Sequence, residues 1–506
     1  RLEEAEASYI QALTLKPDHA ESHSNLGATL NEQGRLNEAE RSYRQALAIK
    51  PDYAEAHNNL GLILQDLGRF KEAKKSYTQA IALRPDYPSG LSTLLFLYGA
   101  FNYETSIYLK EAQDYGRKIS KSVVSRFSSW SCEAAPKRLR IGFVSGDLSN
   151  HPVGYFLEAL LNKLNRSTLE LFAYPTKSSE DELTLRIKPQ FKAWRPLVGF
   201  SNKAAANLIY NDGIHILIDL SGHTANNGLP IFAWKPAPVQ ITWLGYFAST
   251  GVAEIDYILG DPYVTPVGEA DNYTEKIWRL PESYLCFTEP TINVDVAPLH
   301  ALGDGIITFG CFNKIERMTD HVIAVWARIL KAIPDSRLFL KDKTLSDSHV
   351  RRSVCRRFQL VGIEKNQLIL EGRSPRSEYL AAYNRVDIAL SPFPYGGGTT
   401  SVEGLWMGVP VIVKRGTYFL SHLGESIAHN AGLSNWIASD DDEYVAKALE
   451  FTDNLGDLAA LRSRLRAQVL SSPLFDAERF SCHFENSLRD MWERRKEEKL
   501  PEQNNI

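Results

Sequence analysis

A 34-residue period in the first hundred residues constrains the fold more than any other feature of the sequence. Copies of the repeat begin at Arg1, Arg35 and Arg69, and the third copy loses the pattern after Tyr87. Small residues let paired helices approach closely and proline ends a helix, so the pattern predicts a stack of helix pairs. The recurring positions are Ala5, Ala39 and Ala73, then Tyr9, Tyr43 and Tyr77, then Ala12, Ala46 and Ala80, then Pro17, Pro51 and Pro85.

These three ordered copies carry the tetratricopeptide signature and predict an α-solenoid over residues 1–102. Solenoids of this kind bind proteins along a long concave surface. Asn25 and Asn59 occupy the same position of the repeat, where the third copy has Thr93. Two interpretations stay open for the pair. They are either ordinary polar helix residues or an amide ladder that hydrogen-bonds the backbone of an acceptor protein.

The bulk composition narrows the class of protein. Over 506 residues, 57 basic and 61 acidic side chains leave a net charge of -4, which does not favour nucleic-acid binding. Apolar runs fall short of the ~20 residues that span a membrane. The five cysteines form no CxxC pair, so neither a zinc site nor a disulfide framework is indicated, and a reducing, cytoplasmic compartment is expected. Because the chain begins at Arg1 inside a repeat, we expect it to be part of a longer protein.

Behind the repeats, the pattern predicts a helical connector over 103–136 and then two α/β lobes. Short apolar runs alternate with helical stretches over 137–290 and again over 305–475, with a linker at 291–304. Strands that alternate with helices form parallel sheets covered on both faces, and their ligands bind beyond the carboxyl ends of the strands. We therefore expect two doubly wound lobes that face a cleft. A C-terminal helix and tail follow over 476–506.

A glycine-rich turn after a strand is the first candidate site. The stretch from Ser391 to Val413 reads "SPFPYGGGTTSVEGLWMGVPVIV". A helix that starts after such a turn offers free amide groups and about half a positive charge to a diphosphate. It is not a Walker loop, because no GKS or GKT follows. The candidate ligands are Gly397, Gly398, Thr399 and Thr400, with Glu403 one turn further, as a grip on ribose hydroxyls or as a cap.

Cations and histidines supply the remaining candidates. "FGCFNKIERMTD" follows a strand with Asn313, Lys314 and Arg317, and a cation there would stabilise charge on a leaving phosphate. In the first lobe, His151, His223 and Thr224 follow strand ends, where a histidine can accept a proton or orient a substrate. His215 lies within a strand and is predicted to be a core residue. The triplet Asp440–Asp442 is interpreted as a helix cap rather than a metal site.

The chain resembles the O-GlcNAc transferase family, including its SPINDLY-like branch, over nearly all of its length. The motifs that carry the resemblance are "VSGDLSNHPVGYF", "DGIHILIDLSGHTANN", "PAPVQITWLGYFASTG", "FGCFNK" and "YGGGTTSVEGLWMGVP". The resemblance implies a GT-B architecture with the nucleotide on the second lobe and no catalytic metal. It also implies inversion at the anomeric carbon, through direct attack by a protein hydroxyl.

The resemblance implies roles for individual residues. His151 matches the family's active-site histidine, and Gly245 matches a glycine that lines the sugar pocket. Thr399 and Thr400 match the pair on the diphosphate. The departures from the animal transferases are Lys314 for glutamine, Arg317 for an essential lysine, Arg376 for lysine, Tyr379 for histidine, Gly398 for histidine and Glu403 for aspartate. The last two look more like the SPINDLY branch, which is associated with GDP-fucose as well as UDP-GlcNAc.

We therefore predict a protein O-glycosyltransferase that needs no cofactor beyond a nucleotide-sugar co-substrate, with UDP-GlcNAc as first choice. The alternatives are O-fucosylation from GDP-fucose, a non-catalytic scaffold with decayed lobes, and N-glucosylation of asparagine. The predicted partners are acceptor proteins held by the repeats, with neither nucleic acid nor membrane involved. The sequence leaves the oligomeric state and the acceptors open.

Overall fold

The computed structural model describes residues 2–101, 104–178 and 180–497, so the predicted tail "PEQNNI" lies outside the described residues. The chain forms two compact units. The first comprises the described parts of Arg1–Asn102, Ile292–Gly416 and Leu433–Gln468. The second comprises those of Tyr103–Thr291, Thr417–Gly432 and Val469–Ile506. The predicted order of helical repeats followed by two parallel α/β sheets is confirmed.

The helices and strands have these bounds in chain order. The helices are α1 Leu2–Leu15, α2 Ala20–Glu32, α3 Leu36–Ile49, α4 Ala54–Asp66, α5 Phe70–Leu83, α6 Pro88–Phe101, α7 Thr105–Lys121, α8 Pro152–Lys163, α9 Glu182–Ile187, α10 Asn202–Asn211, α11 Leu229–Phe232, α12 Ala301–Asp304, α13 Asp320–Ala332, α14 Ser348–Leu360, α15 Arg376–Ala381, α16 Thr399–Trp406, α17 Phe419–Asn430, α18 Asp441–Asp453, α19 Leu455–Leu470 and α20 Ala477–Glu497. The strands are β1 Leu139–Ser145, β2 Leu169–Pro175, β3 Ala193–Trp194, β4 Ile216–Asp219, β5 Val239–Thr242, β6 Tyr257–Gly260, β7 Lys276–Arg279, β8 Thr308–Cys311, β9 Arg337–Lys341, β10 Leu368–Glu371, β11 Ile388–Leu390, β12 Val411–Lys414 and β13 Ile437–Ala438.

The alanine and tyrosine positions of the second and third copies are buried in the core of the helical array α1–α6, whereas those of the first copy are half-buried and the repeat prolines are exposed. Tyr43 and Tyr77 are buried, at 2% and 0% exposure. Each lies on a glycine of the preceding helix: a Cβ on Gly61 would come within 2.5 Å of the Tyr77 ring, and one on Gly27 within 3.0 Å of the Tyr43 ring. The same contact of a tyrosine ring with a glycine thus recurs every 34 residues, and it allows successive helices to pack closely.

Each unit contains one parallel sheet. In the second unit the strand order is β3-β2-β1-β4-β5-β6-β7, and in the first unit it is β10-β9-β8-β11-β12-β13. Every recorded strand pair is parallel, and the central strands are buried on both faces, for example β2 and β4. Among the described residues, no helix combines the length and the apolar character needed to cross a bilayer.

Helix α7 is fixed to the second unit by a close backbone approach. A Cβ on Gly116 would lie 1.9 Å from the carbonyl oxygen of Gly251, and one on Gly251 would lie 1.9 Å from the carbonyl oxygen of Ala112. The Tyr108 hydroxyl donates to the carbonyl oxygen of Ser249 at 2.7 Å. Residues 103–136, which the sequence predicts as a connector, therefore include a helix packed on the second unit.

Substituting Gly116 by alanine tests this contact. Alanine ordinarily stabilises a helix interior by about 1 kcal/mol over glycine, but the added methyl group collides with the Gly251 carbonyl. We expect Gly116→Ala to destabilise the protein by about 1–3 kcal/mol, measured by urea unfolding. Gly268→Ala is the matched control, because its Cβ would meet no atom within 4 Å. Equal effects of the two substitutions would contradict the close approach.

Candidate active site

The first candidate site follows two neighbouring strands of the first unit. Strand β11 pairs in parallel with β8, with Ile388 opposite Phe309. Both strands therefore end at the same edge of the sheet, where ligands of doubly wound sheets bind. The loop after β8 carries Asn313, Lys314 and Arg317, and the loop after β11 carries the glycine-rich turn.

Asn313 connects these two loops. Its side-chain oxygen accepts from the Thr400 hydroxyl at 2.8 Å and from Nη1 of Arg317 at 3.3 Å. Its amide nitrogen donates to the sulfur of Cys311 at 3.7 Å. Asn313 is 6% exposed, so these contacts replace its bonds to water. The structure thus brings together three of the residues identified from the sequence: Asn313, Arg317 and Thr400.

The glycine-rich turn is packed too tightly for any side chain at its centre. A Cβ on Gly397 would lie 2.4 Å from Oγ1 of Thr400 and 2.9 Å from Oδ1 of Asn313. The Gly397 amide donates to the Ser391 hydroxyl at 3.3 Å. Gly398 then precedes α16, which begins with Thr399. The first turn of a helix leaves amide groups without intrahelical partners, so this turn can receive a diphosphate.

Arg317 points its guanidinium across the start of this turn. Nη1 donates to the carbonyl oxygen of Gly396 at 2.8 Å, and the guanidinium carbon lies 3.5 Å from the centre of the Tyr395 ring. The Nε of Arg317 is buried and has no hydrogen-bond partner among the described residues. A half-buried guanidinium with donor capacity to spare suits an anionic ligand.

Lys314 and Glu316 form a pair beneath this cation. Lys314 is half-exposed, and its Nζ lies 3.4 Å from Oε1 of Glu316, which raises the pKa of the lysine. Glu316 is 6% exposed, and burial raises the pKa of its carboxyl to about 7. The carboxyl of Asp66, at the end of α4, raises it further through its charge and a hydrogen bond. The loop thus carries two cations close to a carboxyl whose pKa is raised to about 7.

Arg376 and Glu403 form a second polar pair at this edge. The Glu403 side chain is 1% exposed and accepts a short charge-assisted hydrogen bond from Nη2 of Arg376. Burial raises the pKa of Glu403, while Arg376 and a hydrogen bond from Tyr379 lower it. The guanidinium lies 5.5 Å from the centre of the Tyr379 ring. Residues 373–376 and Tyr379 line an open cavity of about 620 Å³.

His151 lies in the second unit, at the start of α8. Its Nδ1 accepts from the amide of Val153 at 3.4 Å, so the ring caps the helix. The same nitrogen lies 3.8 Å from Oδ2 of Asp147, whose pKa is raised by burial. The imidazole is 44% exposed and has a carboxyl beside it. This arrangement can hold or accept a proton at the surface of the unit.

His223 is buried, unlike His151. It is 1% exposed and packs edge-on against the rings of Tyr115 and Tyr246, with centroids 4.7 and 5.3 Å away. Its Nε2 donates to the carbonyl oxygen of Thr250 at 2.9 Å. Burial lowers the pKa of the imidazole to about 3, so the ring is neutral at neutral pH. Proton acceptance near neutral pH does not fit a neutral, enclosed ring, and the other role considered for it, orienting a substrate, stays a prediction.

The loop around His223 is held by a buried carboxyl. Asp219, at the end of β4, accepts from the amides of Ser221 and Gly222 at 3.1 and 2.9 Å. Thr224 donates from its hydroxyl to the carbonyl oxygen of Ser221 at 2.8 Å. Gly245 lies against the same segment, and a Cβ there would be 1.8 Å from the carbonyl oxygen of Leu220. Packing against this carbonyl therefore requires glycine at position 245.

Sequence reasoning missed several residues of these sites. Tyr395 supports Arg317, Ser391 holds the glycine turn, and Tyr383 donates to the carbonyl oxygen of Thr400 at 2.9 Å. Ser391 and Tyr395 lie within the quoted glycine-rich stretch, which could have suggested them, whereas Tyr383 lies outside it. His215 is 2% exposed, as predicted, and Asp440 caps α18 through the amide of Glu443 at 2.8 Å. The parts of the chain that the structure describes hold no group of His, Cys, Asp or Glu suited to a metal ion.

The repeats, the two parallel sheets and the strand-end loops define a GT-B glycosyltransferase fused to a tetratricopeptide array. The family description "Glycosyl transferase family 41" matches residues 118–290 and 288–484, and tetratricopeptide descriptions match 27–68 and 54–87. The chain belongs to glycosyl transferase family 41. The expected resemblance to O-GlcNAc transferases is thereby confirmed.

Relatives and a solved structure agree with this membership. A Solanum lycopersicum protein named "Probable UDP-N-acetylglucosamine--peptide N-acetylglucosaminyltransferase SPINDLY" is 36% identical over 400 residues, 78% of this chain and 43% of the relative. An Arabidopsis thaliana relative with the same enzyme name and the suffix SEC is 31% identical over 371 residues, 71% of this chain and 38% of the relative. A mutant O-GlcNAc transferase from Thermobaculum terrenum superposes with a TM-score of 0.93 at 34% identity, covering 97% of this chain and 94% of that one. The chain spans about two fifths of the length of these curated relatives.

The raised pKa of Glu316 predicts a pH-dependent stability. A carboxyl with a folded pKa of about 7 favours the folded state below its ordinary pKa, 4.5, and this contribution is lost as the pH rises through 7. Glu316→Gln keeps the neutral form at every pH. We therefore expect the Tm of the variant minus the Tm of the unsubstituted protein to be more positive at pH 8.5 than at pH 5.5.

Differential scanning calorimetry at the two pH values checks this. Glu450→Gln, at an exposed position of α18, is the matched control for loss of a carboxylate. A Tm difference for Glu316→Gln that stays constant, or that falls with pH, would contradict the burial argument.

Proposed function

We propose that this protein transfers a sugar from a nucleotide sugar to serine and threonine hydroxyls of other proteins. The observation that carries the proposal is the junction of Asn313, Arg317 and Thr400 at the start of α16. It joins a cation, a side-chain amide, a threonine hydroxyl and a helix N-terminus at one edge of the sheet. UDP-GlcNAc is the first-choice donor, because the relatives are named for that nucleotide sugar.

The chemistry assigned to the junction is stabilisation of the leaving group. The acceptor hydroxyl attacks the anomeric carbon, the bond from that carbon to the diphosphate oxygen breaks, and negative charge grows on the departing nucleoside diphosphate. Arg317, Lys314 and the amides of Thr399 and Thr400 are placed to receive that charge, with Gly397 and Gly398 allowing close approach. Fixed donors of this kind need no reorganisation as the charge develops. The reaction then requires no metal.

The remaining assignments are also proposals. Glu403, held by Arg376, is placed to contact the nucleoside, and Gly245 and Thr224 to contact the sugar. His151 has the exposure and the neighbouring carboxyl to accept the hydroxyl proton or to position the sugar. His223 orients its loop as a neutral imidazole.

Acceptor proteins are proposed to bind the repeats. Asn25 on α2 is exposed, whereas Asn59 on α4 is half-buried and hydrogen-bonds the Tyr43 hydroxyl. Asn25 is therefore the better placed of the two to bond a peptide backbone. None of the five cysteines, all of which lie in the part of the chain that the structure describes, forms a disulfide, which fits a reducing compartment such as the cytoplasm.

A thermal-shift comparison of UDP, GDP, UDP-GlcNAc and GDP-fucose, with and without magnesium, tests the donor. A ligand at 100 times its dissociation constant adds about 2.7 kcal/mol to the free energy of unfolding. We expect stabilisation by UDP and UDP-GlcNAc, with or without metal. Stabilisation by GDP and GDP-fucose alone would assign O-fucosylation instead, and a shift with none of them would favour a decayed scaffold.

Arg317→Ala tests the leaving-group role. Loss of one fixed donor to a developing anion costs roughly 100- to 1,000-fold in kcat, and we expect a loss in that range for sugar transfer to a peptide, with Tm little changed. Arg328→Ala is the control, because that arginine is half-exposed and pairs with Asp442 on α18. Full activity of Arg317→Ala would remove this residue from the mechanism.

A further inference from the structure

A row of aromatic rings runs from the repeats to the candidate diphosphate site, all within the first unit. Phe70, at the start of α5, stacks on Phe101, at the end of α6, with ring centroids 4.2 Å apart and planes at 18°. Both rings pack against the buried core of the repeats. Phe101 in turn lies 5.9 Å from the ring of Tyr395 at an angle of 53°. The last helix of the array therefore contacts the glycine-rich turn directly.

Tyr395 connects Phe101 to the guanidinium of Arg317. Its ring lies under the guanidinium of Arg317 at 3.5 Å, and it precedes Gly396, whose carbonyl oxygen accepts from the same guanidinium. An arginine side chain loses substantial rotamer freedom when it is fixed in one place. Because Phe101 packs against the Tyr395 ring, that ring keeps the guanidinium in position before a ligand arrives, which lowers the entropic cost of binding.

The repeats make a second contact, with the turn that carries Arg317. Asp66, the last residue of α4, hydrogen-bonds the buried carboxyl of Glu316, directly beside Arg317 in the 3-10 turn Ile315–Arg317. Asp66 and Glu316 line one cavity of about 560 Å³ between the repeats and this lobe. Two successive repeats thus reach the turn that carries Arg317, one directly through the Asp66 carboxyl and the other indirectly, from Phe101 through the Tyr395 ring.

We propose that the last repeat is a structural part of the donor site, with Phe101 acting as a positioning residue that holds Arg317 through Tyr395. The inference rests on the proposed function, since it takes Arg317 to bind the donor diphosphate. It adds that repeats α4–α6 determine affinity for the nucleotide, independently of any role in holding acceptor proteins. Phe101 touches no reacting atom and acts only through the cation.

A double-mutant cycle tests whether Phe101 acts through Arg317. UDP and GDP are titrated calorimetrically into the unsubstituted chain, Phe101→Leu, Arg317→Ala and the double variant. An aromatic contact of this kind is worth about two- to tenfold in an equilibrium constant, and we expect Phe101→Leu to weaken nucleotide binding by that factor. In the Arg317→Ala background the same substitution should have no further effect, because the group that it positions is gone.

Two further variants separate positioning from packing. Phe101→Tyr keeps the ring, so its affinity for the nucleotide should equal that of the unsubstituted chain. Leu94→Ala removes packing from the same repeat core and should leave affinity unchanged. An equal loss for Phe101→Leu in both backgrounds, or no loss in the unsubstituted chain while Arg317→Ala binds weakly, would overturn the positioning role alone. Unchanged binding by Arg317→Ala would overturn the donor-site assignment, and the role of Phe101 with it.

Discussion

The side-chain oxygen of Asn313 is the contact on which the candidate donor site depends. It accepts from Thr400 and from Arg317, so one buried amide fixes the start of a helix and the position of a cation. This is possible because β8 and β11 are parallel neighbours, and their following loops meet at one edge of the sheet. An isoleucine or leucine at 313 would leave the Thr400 hydroxyl and the guanidinium without this partner in a buried setting.

The glycine turn and the repeats depend on the same principle of close approach. Gly397 leaves room for Thr400 and Asn313, Gly61 leaves room for Tyr77, and Gly116 leaves room for the Gly251 carbonyl. In each case a missing side chain allows backbone or ring contact that a methyl group would prevent. The tetratricopeptide array is therefore joined to the lobe beside it through packed rings and a carboxyl pair, and the first unit is built from segments far apart in the sequence.

Periodicity predicted most of the fold. Nine short apolar runs in the two lobes, for example "LELFAYP" and "VPVIVKR", predict strands, and each run contains one, because buried parallel strands give continuous apolar stretches. The missed strands are β3, β6, β7 and β13. Two of them are only two residues long, and β3, β7 and β13 lie at sheet edges, where pairing on one side needs no apolar run. The C-terminal helix was predicted within a segment that α20 occupies from Ala477.

The candidate site was less accessible to sequence reasoning. The candidate diphosphate ligands lie in two motifs and could be found there, but Phe101 reaches Tyr395, and Asp66 reaches Glu316, only through the fold. The burial of His223 is likewise a tertiary property: its position after a strand suggested a titrating group, whereas two tyrosine rings enclose it. Pairing of Glu403 with Arg376 could not be inferred from residues 27 positions apart.

The most direct test of the account is a crystal structure of the protein with a bound nucleoside diphosphate, UDP or GDP. The account predicts diphosphate oxygens within hydrogen-bond distance of the α16 N-terminus and of Arg317, with the Thr399 hydroxyl directed at them. It also predicts that Tyr395 stays beneath the guanidinium. A diphosphate bound away from this turn, or one that Arg317 does not contact, would contradict it.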